Sequence, residues 1–196
     1  MDDIKILKNC ISPEDAQVII DYINKHQDSF TTGTKKLRFT KMFGKDNHNK
    51  EKSAMILDGI DDIQDQIQKV INLSVSSIRD EFQETEDLYL ASLWLAKQIP
   101  GAQVHGHIDT ENGANNHYAY SVLLYLNTTS KSGPLEFPLL NLKIMPSLGD
   151  LVIFKSTDIN SFHEVKVINE DRYSIPMWFT KDNNYELKQL TKTTSI

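Results

Sequence analysis

From Leu88 onward the chain is a succession of short apolar segments, 88–97, 104–108, 118–127, 139–144, 150–155, 163–168 and 173–180, parted by clusters of Gly, Pro, Asn and Asp. Segments this short and this closely spaced read as strands, and no stretch between them is long enough for a helical crossover. Parallel neighbours need such crossovers. A doubly wound parallel sheet is therefore excluded, and a mostly antiparallel double sheet is expected. The fold class that follows is α+β, mainly β: a double-stranded β-helix, or jelly roll, with supporting N-terminal helices.

Ahead of the strands the apolar period changes. Ser12-Pro13-Glu14-Asp15 combines an N-cap serine, a proline at the first helical position and an acid three residues after the cap. Ala16, Ile19, Ile20 and Ile23 then recur at helical spacing up to about Gln27. Phe39 to Phe43 reads as extended, and 44–52 as a polar loop rich in Lys, Asn and Asp. A second helix is expected over 60–82, where Ile60, Ile63, Ile67, Val70, Ile71, Ser74, Ile78 and Phe82 mark one apolar stripe of the kind that faces a core. The residues from Lys181 read as a short helix or a frayed tail. No repeat or linker divides the 196 residues, a length suited to one core. The expectation is a single domain, 1–196, with helical support over about 1–87 and a jelly-roll core over about 88–180.

A net charge of −6 argues against a broad phosphate-binding face, and the densest basic stretch, Lys35-Lys36-Leu37-Arg38, is short; nucleic acid is not an expected partner. Cys10 stands alone, so neither an internal disulfide nor a Cys-rich zinc site is expected. The start, Met1-Asp2-Asp3-Ile4-Lys5, does not read as a signal peptide, and no apolar run approaches a membrane span. The expectation is a soluble protein of a reducing compartment, the cytoplasm, without a membrane partner. Nothing in the sequence fixes an oligomeric state.

A His two residues before an acid carries little weight by itself. With six His and 27 acidic residues in the chain, about one such pair is expected by chance. Two occur. His26-Gln27-Asp28 ends the first helix, where a His suits the helix dipole. His107-Ile108-Asp109 follows a Pro100-Gly101 turn on an expected strand, where alternate residues share a face. An imidazole and a carboxylate on one face are two of the three ligands of a 2-His-1-carboxylate iron site, which leaves the opposite positions open. On this segment alone a solvated polar pair is the better reading.

The C-terminal third shifts that balance. Pro146-Ser147-Leu148-Gly149 introduces the apolar strand 150–154, and His163 opens the next strand. Nine residues later comes Arg172-Tyr173-Ser174, with Arg172 and Ser174 on one face and Tyr173 and Ile175 on the other. A planar guanidinium plus a hydroxyl two residues on is a good grip for a carboxylate. A metal triad with an open face beside such a grip suits a dicarboxylate that chelates the metal at one end and is clamped at the other. His105 shares the face of His107 and reads as a second-shell or surface residue. His117 sits by the loop 110–116, a candidate flap. His48 reads as solvated, and Glu164 should point away from His163.

The ordered set of motifs resembles the Fe(II)- and 2-oxoglutarate-dependent dioxygenases, in their prolyl 4-hydroxylase-like branch. It runs through Gly101, His107-Ile108-Asp109, the segment Tyr120 to Asn127, Gly133-Pro134-Leu135-Glu136-Phe137-Pro138, Pro146 to Phe154, His163 and Arg172-Tyr173-Ser174. The resemblance implies that His107, Asp109 and His163 bind Fe(II), that Arg172 pairs with the distal carboxylate of 2-oxoglutarate, and that Ser174 lines the same pocket. Tyr125 falls where the family often places a hydroxyl near the cosubstrate, although it reads equally as a core aromatic. Gln98 stands where a tyrosine is common, Pro134 where a second glycine is usual, and Arg172 where many prolyl 4-hydroxylases carry lysine. Pro176 interrupts the last strand and implies an edge or a bulge.

The implied chemistry couples decarboxylation of 2-oxoglutarate by O2, giving succinate and CO2, to hydroxylation of a substrate, with ascorbate as a reductant and a prolyl residue of a peptide or protein as the first choice. The alternatives are a same-fold oxygenase acting on a small molecule, a cupin-like metal enzyme with more His ligands and no arginine clamp, and a non-catalytic metal-binding jelly roll.

Overall fold

A computed structural model describes residues 3–32, 38–44, 60–111, 115–131 and 133–186. The polar loop beyond Gly44 with its His48, the lysines at 35–36, the middle of the 110–116 loop and the chain after Glu186 lie outside the described residues.

The first helix, α1 (Pro13–Lys25), starts where expected: Ser12 Oγ accepts the Asp15 N–H at 3.0 Å, a cap that stabilises by about 1 kcal/mol. It ends two residues before Gln27, with His26 as its C-cap and the His26 ring 4.5 Å from that of Tyr22. Tyr22 joins Ala16, Ile19 and Ile23 in the core, and Ile20 is only partly buried against it. The second helix, α2 (Gln64–Phe82), follows a 3-10 turn at Asp61–Ile63. Its stripe from Ile60 through Ile78 is buried as read, and Phe82 is half-buried.

The strands are β1 (Ile4–Leu7), β2 (Thr31–Thr32), β3 (Arg38–Gly44), β4 (Tyr89–Gln98), β5 (Val104–His107), β6 (Tyr118–Tyr125), β7 (Leu135–Phe137), β8 (Leu142–Ile144), β9 (Leu151–Lys155), β10 (His163–Val165) and β11 (Arg172–Thr180). They form a seven-stranded sheet in the order β1-β9-β6-β11-β4-β3-β2 and a four-stranded sheet in the order β5-β10-β7-β8. All the pairings are antiparallel. From β4 to β11 the chain passes between the two sheets, which is the jelly-roll winding expected from the sequence.

β1 and β2 arise from the segment read as helical support, and β3 covers the stretch 39–43 read as extended. β1 pairs with β9 from Ile4↔Phe154 to Leu7↔Leu151, and β2 and β3 extend the large sheet beyond β4. The expected strand 139–144 is shorter, because Pro138–Leu140 turn as a 3-10 helix before β8.

Two apolar cores sit on opposite faces of the large sheet. α1 and α2 cover one face through Ile19, Ile23, Ile67, Val70 and Ile78 against Leu93, Leu95, Val122, Leu124, Ile153 and Ile175. The other core, with Tyr125, Phe137, Val152, Phe154 and Val165, fills the space between the sheets. β11 divides its side chains between these faces by strict alternation. Tyr173, Ile175, Met177 and Phe179 enter the helix-side core, while Arg172, Ser174, Pro176 and Trp178 line a cavity between the sheets.

Pro176 corrects an expectation. β11 is a central strand, flanked by β6 and β4, and not an edge. The ladder to β4 has no pair at Ile175 or Pro176 and resumes at Met177↔Leu93, because proline brings no N–H to that rung; the bulge comes later, at Trp178–Phe179.

Candidate active site

His107 is the last residue of β5 and His163 the first of β10, and the two are paired across the small sheet with ring centroids 4.4 Å apart. Gly106, next to His107, leaves room for a neighbouring ring: a Cβ there would stand 2.3 Å from Cζ of Phe162, the residue before His163. Asp109 lies just past β5, and its Oδ1 is 3.3 Å from His107 Nε2. One ligand atom from each of His107, Asp109 and His163 falls within 4.8 Å of the others, the spacing of a set that can close on one ion.

Backbone carbonyls orient both imidazoles. His107 Nδ1 lies 2.9 Å from His105 O, and His163 Nδ1 lies 2.8 Å from Ser161 O. With Nδ1–H donating to a carbonyl, Nε2 carries the ring's lone pair and can serve as the metal-binding atom, which is how ligating histidines are commonly held. His105 thus contributes through its main chain, while its side chain is exposed. Glu164 turns outward to Lys166.

Asp109 is held from its other oxygen. Ser121 Oγ donates to Oδ2 at 2.5 Å, and Ser121 and Ser156 Oγ are 2.8 Å apart. Burial opposes ionisation of Asp109, but the His107 contact, the nearby His163 and the Ser121 hydroxyl outweigh it and keep the carboxyl below its ordinary pKa. Burial pushes the His163 pKa down, which favours the neutral, ligating form.

The triad opens onto a cavity of about 250 Å³ whose lining also includes Gln98, Arg172, Ser174, Trp94, Tyr118 and Trp178. Arg172 is 3% exposed, and its Nε and Nη1 have no hydrogen-bond partner among the described residues. Its guanidinium lies 5.5 Å from the centroid of the Tyr125 ring, and burial lowers its pKa. A buried guanidinium with no ion-pair partner among the described residues is costly, and an anion in the cavity would offset that cost. Gln98 is paired with Arg172 across the β4–β11 ladder, and Ser174 with Ala96. Tyr125 is fully buried, does not line the cavity and belongs to the inter-sheet core, yet its hydroxyl is unpartnered.

Several lining residues were not singled out from the sequence. Trp178 shares the parity of Arg172 and Ser174, so the alternation of β11 could have found it. Trp94 lies on β4 with its ring 4.7 Å from Trp178, and Tyr118 stacks on Trp178 at 5.7 Å. Burial and the Asp109 charge push the Tyr118 phenol up to about 12, so it remains a neutral donor. Ser121 and Ser156 carry no sequence signal, because the contacts of Ser121 with Asp109 and of Ser156 with Ser121 depend on how β6 and the ends of β5 and β9 come together. In the expected flap, Asn115 lines the cavity, but His117 stacks on Tyr185 at 3.7 Å and borders a different hollow beside Glu84 and Lys155.

A model of the 2OG-Fe(II) oxygenase superfamily matches residues 93–180, the stretch that carries the triad and Arg172. No curated protein matches the chain by sequence. Among solved structures, the viral collagen prolyl hydroxylase of Paramecium Bursaria Chlorella virus-1, in its 2OG complex, is similar at 14% identity and a TM-score of 0.66, covering 90% of this chain and 94% of that one. A Pseudomonas putida prolyl-4-hydroxylase gives 18% identity and 0.67, over 92% and 94% of the two chains. A Trichoplax adhaerens prolyl hydroxylase, solved with a hypoxia inducible factor peptide, gives 17% and 0.70, over 94% and 86%. At these identities the likeness is one of fold. The family match covers residues 93–180, less than half of the chain, and that stretch holds the triad and Arg172.

Proposed function

We propose that this chain is a hydroxylase in which His107, Asp109 and His163 hold Fe(II), and Arg172 with Ser174 clamps the distal carboxylate of 2-oxoglutarate. One observation carries the reading: the buried guanidinium of Arg172, whose Nε and Nη1 have no hydrogen-bond partner among the described residues, shares a cavity with the His/His/Asp set. A dicarboxylate spanning the two would satisfy both ends, and its charge would offset the desolvation of Arg172. Bound iron and 2-oxoglutarate would supply the O2-dependent oxidation of a C–H bond, with release of succinate and CO2.

The chain's own residues have more modest tasks. Carbonyls of His105 and Ser161 fix the two rings, Ser121 fixes Asp109, and Arg172 anchors the cosubstrate so that its other end faces the triad. The substrate side of the cavity is formed by Trp94, Tyr118, Pro176 and Trp178. An aromatic wall of this kind suits a compact apolar ring, and prolyl hydroxylases share the fold, so a prolyl residue in a peptide is the substrate class we favour. A small molecule carrying a similar ring is the alternative. Ascorbate, as a reductant that keeps the iron ferrous, and a reducing cytoplasmic setting accord with this chemistry.

The test is succinate release from 2-oxoglutarate with Fe(II) and ascorbate, alone and with a panel of proline-containing peptides. Peptide-stimulated release that disappears in His163→Ala is expected. Equal, background-level release by wild type and His163→Ala across the panel would overturn the proposal.

A further inference from the structure

β6 ends at Tyr125, opposite Ser174, and its main chain then leaves the sheet two residues before it would reach Arg172. The last main-chain contact is Leu126 N–H to Tyr173 O at 3.0 Å. Beyond it the side chain of Asn127 continues the ladder. Asn127 Nδ2 donates to Asp171 O at 2.8 Å, and Asn127 Oδ1 accepts the Tyr173 N–H at 2.8 Å. The two bonds bracket Arg172 from the peptide groups on either side of it. A primary amide carries one donor and one acceptor at the spacing of a peptide group, so Asn127 serves as a rung that the departing strand no longer supplies.

The placement has a consequence for the guanidinium. Arg172 is the first residue of β11; β4 ties it on one side through Gln98, and on the other side Asn127 stands in for the departed β6. Its guanidinium has no hydrogen-bond partner at Nε or Nη1 among the described residues to hold it. Its position is set by the backbone beneath it and by the Tyr125 ring. On the reading that Arg172 clamps 2-oxoglutarate, we infer that Asn127 is a positioning residue for cosubstrate binding, acting through the backbone of residues 171–173 and not by touching the ligand.

Both tryptophans of the chain, Trp94 and Trp178, line the cavity, so intrinsic fluorescence reports its occupancy. The full-length protein loaded with redox-inert Mn(II) is titrated with 2-oxoglutarate and with oxalate, which can chelate the metal but has no distal carboxylate. Asn127→Ala should weaken 2-oxoglutarate about tenfold and leave oxalate within about twofold. Asn127→Asp, which keeps the acceptor and loses the donor, should weaken 2-oxoglutarate and spare oxalate in the same way. In an Arg172→Ala background, Asn127→Ala should add nothing, because its effect runs through the arginine. A general loss of structure would instead weaken both ligands together, and that result in both variants overturns the inference. So does unchanged 2-oxoglutarate affinity in Asn127→Ala when Arg172→Ala has lost it. If Arg172→Ala itself binds 2-oxoglutarate normally, it is the cosubstrate reading that falls.

Discussion

Arg172→Met separates what the arginine does for the ligand from what it costs the fold. The guanidinium is 3% exposed, and two of its N–H-bearing nitrogens lack hydrogen-bond partners among the described residues. A buried donor left unmade costs about 1–3 kcal/mol. Methionine keeps much of the stem and removes both the charge and the orphan donors. Against this, the contact with the Tyr125 ring at 5.5 Å is lost, worth about 0.5–2 kcal/mol. The balance favours the variant by about 1–3 kcal/mol in the ligand-free protein, in line with other replacements of buried ionic groups by apolar ones. For a domain of this size, each kcal/mol moves the melting midpoint by roughly 2–4 °C.

The ligand response should move in the opposite direction. Wild type with Mn(II) and 2-oxoglutarate at 100 times its dissociation constant gains about 2.7 kcal/mol, whereas Arg172→Met should gain almost nothing at the same concentration. Thermal melts with and without 2-oxoglutarate measure both quantities. A ligand-free variant that melts several degrees below wild type, or one that keeps the full 2-oxoglutarate shift, would refute the view of Arg172 as a strained, ligand-awaiting cation.

Three further outcomes follow from the same geometry. Ser121→Ala removes the 2.5 Å bond to Asp109 Oδ2 and should lower Mn(II) affinity about 10–100-fold with little change in circular dichroism; unchanged metal titrations would count against it. Gly106→Ala places a Cβ 2.3 Å from Phe162 Cζ and should cost about 1–3 kcal/mol of stability through overpacking, partly recovered in urea unfolding by adding Phe162→Leu; an unchanged urea midpoint in Gly106→Ala would count against it. Partial burial works against ionisation of Glu84, but the Glu86 N–H, Lys181 and the Tyr120 hydroxyl pull its pKa from 4.5 down to about 2. A depressed folded-state pKa gives stability that is present above about 4.5 and lost as pH falls towards 2. Urea midpoints measured across that window should therefore fall more steeply for wild type than for Glu84→Gln, and parallel slopes would exclude the ion pair as the cause.

The parts of the fold written as local periodicity were legible in the sequence. Ser12, the stripe from Ile60 to Ile78 and the alternation of Arg172 and Ser174 against Tyr173 and Ile175 each depend on neighbours a few residues away. What escaped notice depends on distant partners. β1 is four residues of ordinary composition, and only its pairing with the apolar β9 makes it a strand. Tyr22 looks amphipathic, yet its ring meets His26 and the core beneath α1. The reading of Pro176 as an edge marker failed for a related reason: an internal proline disturbs one rung, and the pairs to β6 on its other side hold the strand in the centre of the sheet. Within the site, spacing put His107 and Asp109 on one strand face and the resemblance implied the full metal set, whereas Ser121 meets Asp109, and Ser156 meets Ser121, only because β6, β9 and the end of β5 converge.

The alternation of β11 explains how a cavity containing a buried cation can exist in so small a domain. One side of the strand, Tyr173, Ile175, Met177 and Phe179, is anchored in the core beneath α1 and α2. That anchoring fixes the register, since a slip of one residue would carry four apolar side chains into the cavity and Arg172 into the core. The same register then sets Arg172, Ser174, Pro176 and Trp178 in line along the cavity wall, from the carboxylate grip at one end to the aromatic surface at the other. Stability and chemistry are thus assigned to opposite parities of one strand. Truncating Ile175 or Met177 should act first on folding, and truncating Ser174 or Trp178 first on ligand binding, although the residues are adjacent in sequence.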